Sequence, residues 1–301
     1  MRIRNSMNKK FQSIGIFGKH SYTNIKKTLE SIVDMLNKWQ ISYLMESETA
    51  TDLNIETSKT GSLEQIINTC DLALIVGGDG SFLKYARHLS LYDIPVIGVN
   101  KGNLGFLTDI NPNEIEDTLH EIVEGHYLIE ERFLIQAEVI NNGKSKYKSN
   151  ALNDIVLFPG ELAHMIEFEV HINNQFVYSQ RSDGIITATP TGSTAYALSA
   201  GGPIVQTNLN VLLLVPMFPH TLTNRPITIS ADDEIVITLS NHNKKPPRLS
   251  YDGKSQITLE TNDCIHIKKQ PQKLKLLHPK NYNYYETLRR KLSWGTQITK
   301  T

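Results

Sequence analysis

The chain has 301 residues, which at roughly 150 per domain suggests about two domains. Lysine plus arginine total 31 and aspartate plus glutamate total 31, so the formal net charge is zero; this argues against a general nucleic-acid binder and, with 40% hydrophobic residues, against a disordered chain. Membrane insertion is excluded by run length, because the longest apolar run, Val211 to Phe218, is interrupted by Pro216 and a spanning helix needs about 20 residues.

Met1 to Lys10 is polar and basic, which predicts no secretory leader; Met7 is a second candidate for the initiator. Ser13 to Phe17 reads as a buried strand. A helix follows, with Ile25, Leu29, Ile32, Val33 and Leu36 on one face at the 3.6-residue period. Ile41 to Met45 is a second strand, Leu63, Ile66 and Ile67 suggest a short helix, and Leu72 to Val76 and Ile94 to Val99 are short apolar runs. Between these two, a helix is expected from Ser81 through Phe82, Leu83, Tyr85 and Ala86. Asn111-Pro112 reads as an N-cap and first helical position, Ile115, Leu119, Ile122 and Val123 continue the helix, and Gly125 suits its end. Strands alternating with helices imply a parallel α/β sheet, so residues 1–125 are expected to form an N-terminal α/β domain.

After about residue 130 the pattern changes. Ile166, Phe168, Val170 and Ile172 alternate with polar residues, Asn173-Asn174 supplies a turn, and Phe176 to Tyr178 follows. Further β-like runs are Phe133 to Ile140, Ile155 to Phe158, Ile185 to Ala188, Val211 to Val215, Ile227 to Ile229, Ile235 to Leu239 and Ile257 to Leu259. Short strands separated by turn signals predict a β-sandwich-like domain over 126–279. Asn281 to Trp294 reads as a helix with Tyr285, Leu288 and Leu292 on one face, and segment 280–301 is expected to rejoin the first domain.

Two cysteines, Cys70 and Cys264, have no further cysteine or histidine at zinc-ligand spacing. A disulfide between them stays open; the preferred expectation is a reducing cytoplasm in which both pack as small core residues. None of the ten histidines forms a His-x-x-x-His pair, and no cluster of histidines or carboxylates spells a dedicated metal cage.

Two segments carry chemistry. In the first, the run Leu72 to Val76 enters Gly77-Gly78-Asp79-Gly80-Ser81. Ligands of open α/β sheets bind at the carboxyl ends of strands, glycines admit a phosphate close to the backbone, and a helix start offers N–H groups with a positive dipole end. Asp79 then sits where a carboxylate can take a hydrogen bond, and later a proton, from an attacking hydroxyl; the same four residues also suit a tight turn with a surface aspartate. There is no Walker A loop, and Leu83 stands where a dinucleotide fingerprint needs its third glycine. In the second segment, Asp183 to Tyr196 leaves a strand for the hydroxyl-rich Thr189-Pro190-Thr191-Gly192-Ser193-Thr194-Ala195-Tyr196, which offers N–H groups and hydroxyls to phosphates and an aromatic face to a base, or forms a solvated turn.

Gly77 to Gly80, Asn153-Asp154 and the run Asp183 to Tyr196 together resemble the NAD kinase family. Asn100 to Leu107, Gly201-Gly202-Pro203, Pro219-His220-Thr221-Leu222 with Arg225-Pro226, and the tail from His278-Pro279 to Trp294 support the likeness, which covers about residues 12 to 295. The resemblance implies an N-terminal Rossmann-like domain, a C-terminal β-rich domain and a site between them. It implies ATP-dependent phosphorylation of the 2′-hydroxyl of the adenosine ribose of NAD, giving NADP, with inorganic polyphosphate as an alternative donor in some bacterial members. Magnesium held by the ATP phosphates, rather than by a protein-only site, is expected. Relatives are homodimers or homotetramers, so a homo-oligomer is expected too.

The resemblance also assigns roles. Asp79 becomes the proton acceptor; a carboxylate is a weak base, but phosphoryl transfer rests on positioning and charge stabilisation. Gly80 and Lys84 are placed to meet phosphate oxygens, Lys84 being equally readable as a surface lysine. Asn153 and Asp154 match the pair that contacts the dinucleotide, and an amide and a carboxylate suit a base edge and ribose hydroxyls. His164 stands where many members carry a basic or imidazole contact. Arg181 suits a phosphate, and Asp183 the nicotinamide side or the loop backbone. Thr194, Ala195, Tyr196, Ala197, Leu198 and Ser199 form the dinucleotide loop, with Tyr196 packing on a base. Tyr251-Asp252-Gly253-Lys254 matches a segment where relatives carry Asp-Gly-Gln, which puts Lys254 at the glutamine position, with Gln256 reachable by a two-residue slip. A lipid or sugar kinase sharing Gly-Gly-Asp-Gly and a non-catalytic dinucleotide sensor are the competing readings; the string Thr191 to Tyr196 speaks against the first.

Overall fold

A computed structural model of the protein describes residues 10–18, 25–101, 104–161, 164–221 and 223–294. Met1, Met7, Gly102, Asn103, Leu222 and the tail 295–301 lie outside the described residues. The chain divides into two compact units, Met1–Glu131 with Leu274–Thr301, and Arg132–Lys273. The expected boundaries fell at the outer ends of two long strands, β6 (Tyr127–Asn141) and β17 (Asp263–Pro279), whereas the division runs through both strands. Each strand carries a polar stretch at the division, Glu130-Glu131 in β6 and Lys268 to Lys273 in β17, with Tyr127 and Leu277 in the first core and Phe133 and Ile265 in the second. No described helix is long and apolar enough to cross a membrane.

The first unit holds a parallel sheet of β1 (Ser13–Gly18), β2 (Ser42–Glu46), β3 (Thr60–Gly61), β4 (Leu72–Val76) and β5 (Val96–Val99), joined by the end of β17. The order is β3-β2-β1-β4-β5-β17, and the pairings are parallel throughout. Strands β4 and β5 are buried along their whole length, as uninterrupted apolar runs in a parallel sheet must be. The order reverses between β1 and β4, the switch point at whose carboxyl end open α/β sheets lodge ligands. The first helix, α1 (Ile25–Lys38), buries Ile25, Leu29, Ile32 and Leu36, the apolar stripe expected from the sequence. After the unpredicted α2 (Ser47–Asp52), helix α3 (Leu63–Thr69) opens with a reciprocal capping box between Ser62 and Gln65. Helix α4 spans Asp79–Leu89. It starts two residues earlier than expected, because Gly78 takes the N-cap position and places Asp79 in the first turn.

Asn111 caps a short 3-10 turn, Pro112–Glu114, before α5 (Ile115–Val123). Gly125, at φ +91°, closes α5 with paired bonds, its N–H to the Ile122 carbonyl and the His126 N–H to that of Glu121, a Schellman end. Terminal helix α7 (Tyr284–Leu292) is shorter than predicted and capped by Asn283. Leu288 is buried, but Tyr285 is 54% exposed; the buried stripe is Thr287-Leu288, not the Tyr285 face.

The second unit is a sandwich of two antiparallel sheets. One contains β10 (Gln175–Ser182), β9 (Ile166–Ile172), β14 (Ile235–Leu239) and β17, with β6 pairing β17 and β7 (Lys144–Ala151). The other runs β13 (Ile227–Ser230), β12 (Val211–Met217), β11 (Gly184–Ala188), β8 (Asp154–Phe158), β15 (Arg248–Tyr251) and β16 (Ser255–Thr258). Phe168, Val170, Ile235 and Ile265 of the first sheet share a core with Ile155, Leu157, Leu214 and Tyr251 of the second. The second sheet's other face packs Val156, Ile186, Leu213 and Val215 against Ala197 and Val205, so the hydroxyl-rich segment and α6 (Tyr196–Ser199) are seated on a strand surface. Strands β3, β7, β15 and β17 were not predicted: Lys-Ser-Lys-Tyr-Lys-Ser-Asn-Ala has almost no apolar alternation, Thr60–Gly61 and Arg248–Tyr251 are too short to show one, and β17 is interrupted by the run Lys-Lys-Gln-Pro-Gln-Lys. Both cysteines are free, Cys70 buried and Cys264 half-buried.

Candidate functional site

In the first unit, Asp79 leaves β4 through two glycines and opens α4. Its carboxylate accepts the Phe106 N–H at 3.0 Å on Oδ2, and the Leu107 N–H at 3.1 Å and the Thr108 hydroxyl at 3.3 Å on Oδ1. An ionised carboxylate offers about four lone-pair sites, so these three donors fix its plane and leave about one direction for a further hydroxyl. The donor segment is itself tied to β5. Ile110 N–H donates to Gly98 at 3.2 Å, and Asn100 N–H to the Ile110 carbonyl at 2.9 Å. Two glycines make this packing possible. A Cβ on Gly98 would stand 2.3 Å from the Leu107 carbonyl oxygen, and one on Gly105 would stand 2.2 Å from Asp79 Oδ1. Gly80, the second residue of α4, is exposed, with no atom within 4 Å of where its Cβ would lie.

Lys84, one turn further on, does not stand alone. Its ammonium is 2.8 Å from Glu48 Oε2 and lies over the Tyr85 ring at 4.8 Å. Tyr85 donates to buried Glu46 at 2.7 Å, Thr49 donates to the same carboxylate oxygen at 2.7 Å, and the Gly18 N–H donates to Thr49 at 3.0 Å. Burial and the Glu46 carboxylate raise the Tyr85 phenol well above its usual range. This polar plug at the carboxyl end of β1 was missed in the sequence, where Glu46 and Thr49 lie 39 and 31 residues from the Tyr85 and Gly18 groups that join them.

In the second unit, a cavity of about 350 Å³ is lined by Asn153, Asp154, Val156, Phe158, Ala195, Tyr196, Ser250, Asp252, Gly253 and Gln256. Its floor is built by Asp252, which has a left-handed backbone (φ +50°) and accepts the N–H groups of Leu152 at 3.1 Å, Asn153 at 2.7 Å and Asp154 at 3.2 Å. Asn153 Oδ1 is buried with no hydrogen-bond partner, an unsatisfied acceptor of the kind that marks a ligand contact. Asp154 is 4% exposed. Burial first, and then the neighbouring Asp252 charge, push its carboxyl up to about 7, a desolvation effect reinforced by like charge. Tyr196 is 51% exposed, its ring available for stacking.

The hydroxyls of the 189–194 string are engaged locally rather than offered outward. Thr189 donates to the Leu152 carbonyl, Ser193 to Pro190 at 2.7 Å, and Thr194 to Thr191 at 3.2 Å. Ser193 Oγ also accepts the Val205 N–H at 3.0 Å, and buried Arg132 donates to Thr191 at 3.1 Å. A Cβ on Gly192 would meet the Asn153 carbonyl oxygen at 2.1 Å. The string therefore braces Asn153 from behind.

The sequence matches the ATP-NAD kinase N-terminal domain over residues 14–127 and the ATP-NAD kinase C-terminal domain over residues 152–279. The chain belongs to the ATP-NAD kinase family. The N-terminal match contains Asp79 with its donors at 106–108; the C-terminal match contains every residue that lines the cavity. Relatives named NAD kinase include that of Pseudomonas entomophila (strain L48), 46% identical over 288 residues, or 96% of this chain and 97% of the relative. That of Pseudomonas syringae pv. tomato (strain DC3000) is 45% identical with the same coverage. Among solved structures, yeast NADH kinase complexed with NADH aligns with a TM-score of 0.87 at 23% identity, covering 97% of this chain and 90% of that one. An NAD kinase from Archaeoglobus fulgidus in complex with ATP aligns with a TM-score of 0.74 at 23% identity, covering 93% and 99%.

Of the residues singled out in the sequence, the cavity gathers Asn153, Asp154, Ala195 and Tyr196. It also takes Gln256 and not Lys254, which is exposed and outside the lining. The reason is the hairpin of β15 and β16, whose turn at Asp252-Gly253 carries Lys254, while Gln256 sits on β16 opposite Ser250. Ala197 is fully buried in the core below the loop, so its methyl faces protein. Leu198 and Ser199 complete α6 outside the lining, and Thr194, the last residue of a short 3-10 turn from Gly192, is outside it too. His164 is a half-exposed side chain 3.9 Å from Glu161, and Arg181, on edge strand β10, lies 3.9 Å from Glu167 in a separate groove with Glu169 and His242. Asp183 is the bend between β10 and β11, its N–H bonded to the Met217 carbonyl at 3.0 Å. Among the described residues, no three His, Cys, Asp or Glu side chains group to hold a metal ion.

Proposed function

We propose that this chain transfers the γ-phosphoryl group of ATP to the 2′-hydroxyl of the adenosine ribose of NAD, giving NADP and ADP. The observation that carries this reading is the Asp79 carboxylate, held by three donors directly after β4 with one acceptor direction left over. The ribose 2′-oxygen attacks the γ-phosphorus and forms the new P–O bond. The bond from that phosphorus to the β-bridging oxygen breaks, its electron pair leaving with ADP. The hydroxyl proton passes to Asp79 and then to water. Gly80 leaves room for a phosphate beside the start of α4, where the helix dipole favours negative charge. Asp79, the carboxylate at the start of α4, would be the group to touch a magnesium ion bound with the donor's phosphates, and the ion would supply neutralisation of the phosphoryl charge.

For the dinucleotide, Asp154 and the Asn153 amide read ribose hydroxyls and a base or amide edge, and Tyr196 stacks on a base. Gln256, on β16 and in the cavity lining, replaces Lys254 of the turn as the preferred dinucleotide contact. Lys84, paired with Glu48, reaches phosphate only on leaving that partner. We assign the working form to a cytoplasmic homo-oligomer, a dimer or a tetramer.

The test is a coupled assay in which NADP is read by an NADP-specific dehydrogenase, with NAD, ATP and magnesium, repeated with polyphosphate as donor. Asp79→Asn is expected to lower kcat by roughly 10²- to 10⁴-fold, the usual contribution of a positioned acid or base. Full activity in that variant refutes the role of Asp79. Tight NAD binding with no turnover on any donor selects the sensor reading, and phosphorylation of a sphingoid base or diacylglycerol but not NAD selects the lipid-kinase reading.

A further inference from the structure

The segment that aims Asp79 ends on a second polar cluster. His278, at the end of β17, is fully buried. Its Nδ1 lies 2.7 Å from Asp109 Oδ2, its Nε2 lies 3.0 Å from Glu130 Oε2, and its ring stacks on Tyr282 with centroids 3.8 Å apart. Both ring nitrogens thus face carboxylate oxygens. A neutral imidazole has one N–H and one lone pair, and the lone pair would then oppose a carboxylate. With both carboxylates ionised, the arrangement is satisfied by the doubly protonated ring, which gives each of them a charge-assisted donor. Burial opposes the charge, but Asp109 and then Glu130 outweigh it and raise the imidazole to about 9.

Asp109 directly follows Thr108, and Thr108, itself fully buried, donates to Asp79. The other oxygen of Asp109 is buried and has no hydrogen-bond partner, so the imidazolium holds this side chain. One residue further, Ile110 is bonded to β5. Segment 105–110 is therefore pinned at its far end by β5 and His278, and it presents two N–H groups and a hydroxyl to Asp79 at its near end.

We propose that His278 is a positioning residue for phosphoryl transfer: as an imidazolium clamped between Asp109 and Glu130, it fixes the 105–110 segment and through it the aim of the Asp79 carboxylate. This rests on the assignment of Asp79 as proton acceptor. A residue that only stabilised the fold would change the amount of folded enzyme but not kcat per folded site. Loss of a positioning residue lowers kcat and leaves substrate binding in place.

The experiment is a double-mutant cycle on the full chain, assayed for NAD phosphorylation with ATP and magnesium, with folding of each variant checked by circular dichroism. His278→Gln is expected to lose roughly 10- to 100-fold in kcat, as displacements of about 1 Å do, with KM for NAD and for ATP changed by less than about two-fold. In the Asp79→Asn background the same substitution is expected to cost nothing further. Equal losses in both backgrounds, or a rise in KM with kcat intact, overturn the proposal and leave the role of Asp79 standing. Full activity of Asp79→Asn by itself overturns the Asp79 assignment and the proposal with it. Should His278→Gln not fold, the isosteric Asp109→Asn takes its place in the cycle, with the same two outcomes deciding.

Discussion

Gly105→Ala tests the Asp79 geometry without touching Asp79. The added methyl would begin 2.2 Å from Asp79 Oδ1 and 2.3 Å from Thr108 Oγ1, against an ordinary contact of 3.4 Å or more. Both neighbours are side-chain oxygens, and Gly105 has no left-handed backbone that a side chain would strain. The structure can therefore relax by swinging the carboxylate aside by about 1.2 Å rather than by moving the main chain. A reacting group displaced by about 1 Å costs on the order of 10²-fold in rate, or about 2.7 kcal/mol in the activation barrier. Stability should fall by less, about 1 to 2 kcal/mol, because the Thr108 hydrogen bond and part of the amide contact are lost. Steady-state kinetics with NAD and ATP, together with a urea melt, separate the two effects. The expected result is a folded enzyme with kcat down roughly 100-fold and KM for NAD nearly unchanged. A kcat within about two-fold of wild type in a folded variant refutes the reasoning, because the carboxylate would have been moved without consequence.

Three further outcomes follow from the second unit. Asp252→Asn keeps the tolerance for a left-handed backbone and one acceptor oxygen, but loses the charge that serves three N–H groups; a loss of about 1 to 3 kcal/mol in urea unfolding is expected, with weaker NAD binding by calorimetry. Asp154, raised from 3.8 to about 7, holds more protons folded than unfolded between those values. Stability therefore declines as pH rises through that window and levels off above it, and Asp154→Asn should flatten the slope in melts taken from pH 4 to 8. If ionised Asp154 accepts ribose hydroxyls, NAD affinity moves the other way and tightens as pH rises towards 7, which calorimetry on the wild-type chain would read. Gly192→Ala places a Cβ 2.1 Å from the Asn153 carbonyl oxygen and 2.8 Å from its Cα. Main chain cannot swing aside cheaply, so a cost of about 3 kcal/mol or more is expected, and a melting temperature within about 2 °C of wild type would contradict it.

The fold was legible where burial is two-sided or strictly periodic. Strands such as Leu72–Val76, which are apolar at every position, and helices such as α1, with its stripe of four buried residues, announce themselves. Strand β7 did not, since an edge strand of Lys, Ser and Asn carries no burial signal. The start of α4 was misread by two residues because a glycine N-cap has no side chain to signal it. In the site, Asn153, Asp154 and Tyr196 were legible as a motif. The exchange of Lys254 for Gln256 was not, because which side chain of a hairpin faces a cavity depends on where the turn closes, here at Asp252 and Gly253 with φ of +50° and +66°.

What sequence reading missed most consistently is the partner of each functional carboxylate, and the two units show the same cause. Asp79 is aimed by N–H groups 27 and 28 residues away, and Asp252 organises N–H groups 98 to 100 residues away. Main-chain donors have no residue identity, so any side chain could occupy those positions. Only the glycines that allow the close approach leave a trace. Gly105 stands against Asp79, and Gly192 stands against the main chain of Asn153. Gly105 and Gly192 can thus be read in one physical way: they mark where backbone must come within a few ångströms of other backbone or of a carboxylate, and the groups to which the proposed function gives the chemistry are the acidic and amide side chains held at those approaches. The expectation that the hydroxyls of the string face a phosphate fails for this reason: Thr189, Ser193 and Thr194 are spent on backbone carbonyls that hold Asn153 and its loop in shape.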